Sequence, residues 1–216
     1  MSQPSNASTG TAPSFGASTV ADYLGELAAK VPAPGGGAVA ALHAAQGAAL
    51  IAMVARYTTR AKDAEHKPVI DRVIEAADAC RARALALVDA DAAAFTAVGA
   101  AYKLPKESEG RAEAITEALI GAARVPSAVV DEADEILSLA AELLPIGNPN
   151  VVTDIGAAAD AARAAATSSR LNIEINVASL DAVHGDEFAP ALMRVEALAA
   201  RADALHADVL HAVRSS

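Results

Sequence analysis

Aromatic residues and cysteine are nearly absent from this chain of 216 residues, which has three Phe, three Tyr, no Trp and one cysteine, Cys80. Its core must therefore be built from alanine and aliphatic side chains, and hydrophobic residues make up 53% of the sequence. Alanine-rich patterning favours helix almost throughout. The single cysteine excludes an internal disulfide, and we interpret it as a small core residue rather than a nucleophile.

Positive charge is also scarce, since 17 Lys and Arg face 27 Asp and Glu for a formal net charge of −10. A nucleic-acid surface needs clustered basic residues, so we expect no nucleic-acid partner. Residues 1–17 lack the basic start and apolar run of a signal peptide, which together with the single cysteine predicts a cytoplasmic protein. No Cys pair, H-E-x-x-H motif or His and carboxylate cluster has metal-ligand spacing, so we expect no metal and no cofactor.

Long stretches of helical periodicity alternate with short breaks containing proline or glycine, which predicts an all-α bundle of long antiparallel helices. The polar residues 1–17 are predicted to form a disordered arm, and residues 18–216 a single helical domain. The predicted helices cover residues 20–30, 36–57, 69–102, 111–144 with an interruption or a bend near Pro126, 150–171 and 186–214. Residues 172–177 alternate like a strand, but an isolated strand would have no partner, so a further helical piece is favoured.

The sequence Pro-Ala-Pro-Gly-Gly-Gly at residues 32–37 leads into a helix with almost no charge. We expect Gly35, Gly36 and Gly37 to adopt backbone angles closed to other residues, so that several N–H groups at a helix N-terminus bind an anion or a polar carbonyl. Length alone would allow a membrane span, but His43 and Gln46 interrupt the segment, and a soluble buried helix is favoured. A dinucleotide or phosphate loop would need a preceding strand and another glycine spacing. A simple tight turn is the remaining alternative.

Asp91 is the most informative carboxylate because it lies on an apolar helical stripe with Leu87, Val88, Ala94 and Phe95. Burial without a cation would raise its pKa towards the range in which a carboxylate both takes and returns a proton near neutrality. Pairing with a Lys or Arg, or a position at the wet edge of the bundle, is the open alternative. Asp89, two residues earlier, points in another direction and is the second catalytic candidate.

Three polar residues near a later break are further binding candidates: Asn148, Asn150 and Asp154. Asn148 or Asn150 is predicted to cap the next helix, with Pro149 at its first position. Asp154 lies one turn inside that helix, near free amide groups, where compensation of the helix dipole is the alternative role.

Four cations are predicted to form a basic rim for an anionic substrate tail. Lys103 and Lys106 flank the Leu104-Pro105 break, while Arg60 and Lys62 lie in a basic connector of an otherwise acidic chain. Simple surface solvation is the alternative for each of them.

Together these segments resemble the cyclodeaminase domain of formiminotransferase-cyclodeaminase and its stand-alone relative, bacterial methenyltetrahydrofolate cyclohydrolase. The matching segments occur in the family's order, at residues 32–37, 48–55, 88–95, 104–106, 147–150 with Asp154, and 172–176. Two departures are visible. Ala38 stands where the family usually has Ser, so that no hydroxyl is available in the turn, and the connector around Arg60 has fewer lysines than is typical.

The resemblance implies an all-helical homodimer with folate sites in grooves between helices and a proton-transferring Asp in the segment 89–95. The implied reaction needs no cofactor, and we expect no membrane partner. The first hypothesis is cyclodeamination of 5-formiminotetrahydrofolate, with Asp91 moving the proton, the glycine amides holding a polar group of the folate, and the four cations holding its glutamate tail. Because no transferase domain precedes this one, hydrolysis of methenyltetrahydrofolate is a serious alternative. A non-catalytic folate-binding or scaffold protein is the third.

Overall fold

The computed structural model describes residues 14–215, apart from the side chain of Lys62. The described part is helical and contains no strand, which confirms the predicted all-α class. Its α-helices are α1 (Val20–Leu27), α2 (Gly36–Arg56), α3 (Lys67–Tyr102), α4 (Arg111–Leu143), α5 (Val152–Val177), α6 (Ala182–Gly185) and α7 (Ala189–Arg214). Short 3₁₀ helices cover Phe15–Ala17, Ala61–His66, Pro149–Val151 and Asp186–Phe188.

Cross-helix contacts establish the direction of each neighbour. Ala38, at the start of α2, hydrogen-bonds Asp91 in the second half of α3, whereas Arg56 at the end of α2 pairs with Asp78. Helices α2 and α3 are therefore antiparallel, and the pairs Arg72–Glu142 and Arg83–Glu132 show the same for α3 and α4. Helix α7 runs antiparallel to α5, as shown by the pairs Arg163–Asp203 and Arg170–Glu196.

Helix α2 lies at the centre of the bundle and packs on α3, α4 and α5. Its buried residues are mostly alanine, and a Cβ on Gly47 would lie 3.2 Å from the carbonyl oxygen of Ala158, so small residues are what let α2 and α5 approach. By length and composition, Gly36–Arg56 and the segment Asp63–Tyr102 could each cross a membrane. The burial of α2 inside the bundle is that of a core helix, as the sequence predicted.

Several local predictions were corrected. Pro126 does not interrupt α4. Residues 172–177 are helical, as predicted, but they are the last turns of α5 rather than a separate piece. In α1 the buried residue is Tyr23, whereas Val20 and Leu24 are 76% and 53% exposed.

Residues 1–13 of the predicted disordered arm lie outside the described residues. The last residues of that arm, 14–17, are described and do not match the prediction. Phe15–Ala17 form a 3₁₀ helix that lies against α3, as their hydrogen bonds to an α3 side chain show.

Candidate active site

The carboxylate of Asp91 lies directly on the first turn of α2. Its Oδ2 accepts a hydrogen bond of 2.9 Å from the backbone N–H of Ala38. This contact follows from the antiparallel packing of α2 and α3, which brings the turn at residues 32–37 beside the second half of α3. The site is thus assembled from two helices whose contact residues are 53 positions apart.

Gly37 explains how the carboxylate comes so close. A Cβ on Gly37 would lie 2.0 Å from Asp91 Oδ1 and 2.6 Å from its Cγ, so no other residue fits there without moving the acid. The predicted reason for the glycines was wrong, because among the described residues only Gly110 has a positive φ. Gly36 and Gly37 are helical, and Gly37 is needed for close approach rather than for unusual backbone angles.

Burial raises the pKa of Asp91, and the hydrogen bond from Ala38 opposes that shift without cancelling it. No Lys, Arg or His in the described part pairs with this carboxylate, so the alternative of a cation partner does not hold. Desolvation disfavours the charged form, whereas a donor favours it. A half-buried carboxyl with a raised pKa and a single backbone donor is suited to accept and return a proton.

Asp91 opens into a cavity of about 330 Å³ between α2, α3, α4 and α5. The lining residues are Pro32, Ala33, Gly35, Gly36, Gly37, Asp91, Ala94, Phe95, Val98, Ala122, Asn172, Ile175 and Asn176. Most of this wall is apolar, with a few polar groups, as is usual for a small-molecule site. The three glycines and Asp91, all singled out from the sequence, thus line one cavity.

Two amide side chains complete the polar part of the cavity. Asn172 and Asn176 donate their NH₂ groups to carbonyls of their own helix, those of Ser168 and Asn172, over 2.9 and 2.7 Å. Their Oδ1 atoms are then left as acceptors, while the first N–H groups of α2 are donors. A ring that carries both N–H and carbonyl groups can be held between them.

Asp89 has a different position from its neighbour. It accepts hydrogen bonds from the hydroxyl of Ser14 and the backbone N–H of Phe15, both at 2.6 Å, and from the N–H of Gly16 at 3.3 Å. This carboxylate therefore holds the N-terminal segment on α3. It lines a separate apolar recess next to the Asp91 cavity.

The predicted basic rim does not form within one chain. Arg60 lies beyond the other end of α2, roughly 30 Å from the turn at 1.5 Å per residue. There it bonds Asp63 through Nε at 2.8 Å and the carbonyls of Ile146 and Gly147 at 3.2 and 3.0 Å. Lys62 belongs to the same connector helix, Ala61–His66.

Asn148, Asn150 and Asp154 lie at that same far end. Asn148, one of the two predicted caps, caps the 3₁₀ helix Pro149–Val151 that leads into α5, by accepting a hydrogen bond from the N–H of Asn150. Its side chain also donates a hydrogen bond of 2.8 Å to the carbonyl of Tyr57. Asp154 is in the first turn of α5. A groove of about 450 Å³ occurs at this end too, but each cation in its lining is already paired, Arg60 with Asp63, Lys67 with Asp71 and Arg56 with Asp78.

Lys103 and Lys106 remain on the Asp91 side of the bundle. They follow α3 directly, and both are exposed. Lys103 lies roughly 18 Å further along the direction of α3 than Asp91, at 1.5 Å per residue. They are therefore at the outer margin of this end of the bundle rather than inside the cavity.

One group of possible metal ligands occurs in the described residues, formed by Cys80, Glu132 and Glu135. Arg83 occupies both carboxylates, at 2.7 and 2.6 Å, and burial raises the pKa of the Cys80 thiol. Cys80 is buried in the core and the two carboxylates are paired with an exposed arginine, which is consistent with the structural role predicted for Cys80.

Sequence reasoning missed Asn172 and Asn176 as site residues, although their segment was singled out. Once that segment is helical, their spacing of four residues places both on one face. It also missed Tyr23, whose buried hydroxyl lies close enough for the charge of Asp91 to raise its pKa, in addition to the effect of burial. The rarity of tyrosine in this chain, which has three, was the available signal.

The fold and the site are those of an all-α protein with a small-molecule cavity, in which a half-buried carboxylate without a cation partner lies at a glycine-lined helix start. Comparison with known proteins identifies the family. Residues 19–193 match the family model described as formiminotransferase-cyclodeaminase, so this chain belongs to that family.

The relatives include proteins with two activities. The chain is 36% identical over 206 residues to methenyltetrahydrofolate cyclohydrolase of Methylorubrum extorquens, covering 93% of this chain and 98% of that relative. It is also 36% identical over 160 residues to formimidoyltransferase-cyclodeaminase of Mus musculus, of which it covers 30%. The crystal structure of formiminotetrahydrofolate cyclodeaminase from Thermotoga maritima superposes with a TM-score of 0.79 at 27% identity, covering 92% of this chain and 97% of that one.

Proposed function

We propose that this protein is a folate one-carbon enzyme that makes or opens the carbon bridge between N5 and N10 of tetrahydrofolate. The observation that carries the proposal is the Asp91 carboxyl, half-buried beside Gly37, raised in pKa and open to the cavity. Both family reactions pass through a tetrahedral carbon and need one group that first takes and then returns a proton. Asp91 is that group.

For cyclohydrolysis, water attacks the bridging amidinium carbon of 5,10-methenyltetrahydrofolate while Asp91 takes one of its protons. The neutral tetrahedral adduct then collapses. Asp91 gives its proton to N5 as the bond between carbon and N5 breaks, and the remaining hydroxyl proton leaves as the formyl carbonyl forms. The products are 10-formyltetrahydrofolate and one proton. This reaction is favoured by the similarity to the Methylorubrum cyclohydrolase, which extends over 93% of this chain.

Cyclodeamination is the second candidate, favoured by the fold match to the Thermotoga cyclodeaminase. Here N10 attacks the protonated formimino carbon of 5-formiminotetrahydrofolate. Asp91 takes the N10 proton and delivers it to the amino nitrogen, which leaves as ammonia with the bonding electron pair. The product is 5,10-methenyltetrahydrofolate, so one carboxyl again serves as base and then as acid.

The cavity suits the reacting end of folate. The side-chain oxygens of Asn172 and Asn176 can accept hydrogen bonds from the N–H groups of the folate ring, and the N–H groups at the start of α2 can donate to its carbonyl. Phe95 and Ile175 form apolar walls. Lys103 and Lys106 are the tail-binding candidates on the same chain. Arg60 and Lys62, at the far end of α2, would reach this site only from a second copy, which fits the homodimer that we propose.

One assay distinguishes the candidates. Purified protein is mixed with 5,10-methenyltetrahydrofolate while its absorbance is followed, and ammonia release from 5-formiminotetrahydrofolate is measured in parallel. Loss of the methenyl absorbance above the buffer rate, without ammonia release, identifies a cyclohydrolase. Ammonia release with a gain of that absorbance identifies a cyclodeaminase. Neither activity in a folded protein would overturn the proposal and leave a folate-binding or scaffold role.

A further inference from the structure

The second half of α3 presents an apolar surface that the bundle leaves uncovered. Residues 92–102 carry no charge, and Phe95 and Tyr102 are 55% and 48% exposed. In the apolar 18-residue stretch of Asp63–Tyr102 only 17% is buried, against 61% in that of α2. Isolated apolar side chains are ordinary on a protein surface. Here, however, two of the six aromatic residues of the chain lie exposed on one helix, in a surface that is continuous rather than scattered.

The largest of these side chains form one exposed ridge, Phe95, Val98 and Tyr102, that begins at Asp91. They follow Asp91 at intervals of four, three and four residues, which places all four side chains on one face of α3. Phe95 and Val98 line the same cavity as Asp91, and Tyr102 lies one turn beyond them. The exposed ridge therefore leads from the carboxyl out of the cavity towards the end of α3.

Helix α2 begins beside Asp91, which leaves space next to the exposed ridge. A Cβ on Gly37 would lie 2.0 Å from Asp91 Oδ1, and one on Gly36 would lie 3.7 Å from Asn172 Nδ2, so Asp91 and Asn172 flank the first turn of α2. Since the middle of α2 contacts the first half of α5, α2 runs antiparallel to α5 as it does to α3. Helices α3 and α5 thus both extend beyond the start of α2, and Ile175 lines the cavity from the α5 side.

The substrate of the proposed function has a part that suits this surface. In the tetrahedral intermediate of both reactions the reacting carbon is bonded to N10, and N10 carries the p-aminobenzoyl ring. The pterin has donors and a carbonyl for the polar groups of Asn172, Asn176 and the start of α2, whereas the benzoyl ring is an apolar plane. A flat apolar ring next to N10 requires an apolar wall next to Asp91, and Phe95 is one turn away on the same face.

Lengths along α3 agree with this assignment. At 1.5 Å per residue, Phe95 and Val98 lie roughly 6 and 10 Å beyond Asp91, and Lys103 roughly 18 Å. A p-aminobenzoyl group is about as long as two extended residues, roughly 7 Å. Its ring therefore covers Phe95, and the first glutamate begins near Val98. Because long side chains on a helix point back towards its start, Lys103 is placed to meet that glutamate.

We propose that the exposed ridge binds the p-aminobenzoyl ring of the folate, with Phe95 stacked on the ring and with Val98 and Tyr102 under the bond to glutamate. The inference rests on the proposed function, because it assigns one part of that substrate to a surface. Phe95 exchanges no proton. It binds the ring and thereby orients N10 towards Asp91.

The kinetic test is Phe95→Leu, which removes the aromatic ring and keeps an apolar side chain. We expect KM for the folate substrate to rise about tenfold with kcat nearly unchanged, the loss typical of one aromatic stacking partner. Tyr57→Leu is the matched control, since Tyr57 is aromatic and 59% exposed but lies at the far end of α2, and it should leave both constants unchanged. An unchanged KM in Phe95→Leu would overturn the proposal.

Gel filtration of the same variants separates the other use of an exposed apolar surface, contact between copies of this chain. A raised KM in a Phe95→Leu protein of unchanged size supports the substrate role. A change in size with KM unchanged would assign the exposed ridge to an interface and overturn the proposal.

A further measurement does not depend on activity. Protein labelled with fluorophenylalanine has three fluorine NMR signals, because the chain has three Phe, and Phe95→Leu identifies that of Phe95. Millimolar p-aminobenzoylglutamate should shift the Phe95 signal and leave that of Phe188, which is 2% exposed, in place. A Phe95 signal that does not respond would overturn the proposal. If the wild type catalyses neither folate reaction, the proposed function fails, while this titration still decides whether the exposed ridge binds the ring.

Discussion

The two ends of helix α2 have similar sequence features, since each has a turn with proline and glycine nearby and several polar side chains. The polar side chains have few hydrogen-bond partners at the start of α2 and several at its end. At the start, Asp91 has one backbone donor, lies beside a cavity, and has its pKa raised by burial. At the end, Arg60 bonds Asp63 and two carbonyls, and Asn148 joins Tyr57 to the cap of the next helix.

The difference shows how chemistry is separated from stability in this protein. A polar group that is desolvated but poorly paired costs stability and keeps its reactivity. A polar group whose donors and acceptors are all used holds loops together and has no free electron pair to offer a substrate. We therefore expect substitutions at the start of α2 to change turnover, and substitutions at its end to change stability.

The largest effect is expected for Asp91→Asn, which keeps an acceptor for the Ala38 N–H but removes the proton-transfer group. We expect kcat/KM to fall by a factor of about 10² to 10⁴ while the helical circular dichroism is retained. Asp89→Asn is the matched comparison, because Asp89 binds the N-terminal segment and not the cavity, and it should lower stability more than turnover. A reversed result, with Asp89→Asn the inactive protein, would assign proton transfer to Asp89.

Gly37→Ala should come next. The added Cβ would lie 2.0 Å from Asp91 Oδ1, so the carboxylate or the helix start must shift, and a shift of about 1 Å at a reacting group can cost 10² in rate. We expect a loss of about that size in kcat. Gly99→Ala on α3 meets nothing within 4 Å and should be active. Full activity of Gly37→Ala would show that the contact with Asp91 is not needed.

At the other end, Arg60→Ala should act on stability. It leaves two carbonyls and the buried Asp63 with fewer partners, so urea unfolding should show a loss of about 1 to 3 kcal/mol. Turnover of a monoglutamate folate should be unchanged, because Arg60 and Asp91 are at opposite ends of α2. A rise in KM confined to polyglutamate substrates would support the proposed homodimer. Loss of monoglutamate turnover at unchanged stability would contradict the division between the two ends.

The smallest effect concerns the pH dependence of stability. Because the pKa of Asp91 is higher in the folded protein than its ordinary value near 4, the folded state binds more protons between those two values. Asp91 therefore lowers stability as pH rises through that window, and Asp91→Asn should relieve the loss. We expect Tm of the variant to exceed that of the wild type by a few degrees at pH 7, roughly 2–4 °C per kcal/mol, and to match it near pH 3. Equal Tm differences at both pH values would refute this account.

Asp91 could be singled out from the sequence because the apolar stripe around it can be read from helical spacing, but only the structure decided that no Lys, Arg or His among the described residues pairs with it. It could not give the reason for Gly37, since that reason is the carboxylate of a residue on another helix. Tyr23 was missed for a related cause. Which face of α1 is covered depends on the elements packed around it, and the covered residue is Tyr23 rather than Val20 or Leu24.

The basic rim failed for a reason of distance. Arg60 follows α2 in the sequence by only a few residues, but a rigid helix of 21 residues separates it from the turn that was expected to share its substrate. Lys103 and Lys106 stayed near the site because α3 runs back alongside α2. Order along the chain does not reveal such pairings.

The sequence by itself determined that the chain is helical and where most helices begin and end, because helix propensity, caps and prolines act over a few residues. It also determined which family the chain resembles, because the matching segments occur in order along the chain. Only the tertiary structure decided that Gly37 faces Asp91, that Asn172 and Asn176 complete the cavity, that Asp89 binds the N-terminal segment and that Arg60 is a structural clamp. Each of these depends on contacts between residues far apart in the chain, and those contacts exist only after the alanine faces of α2, α3 and α5 have packed together.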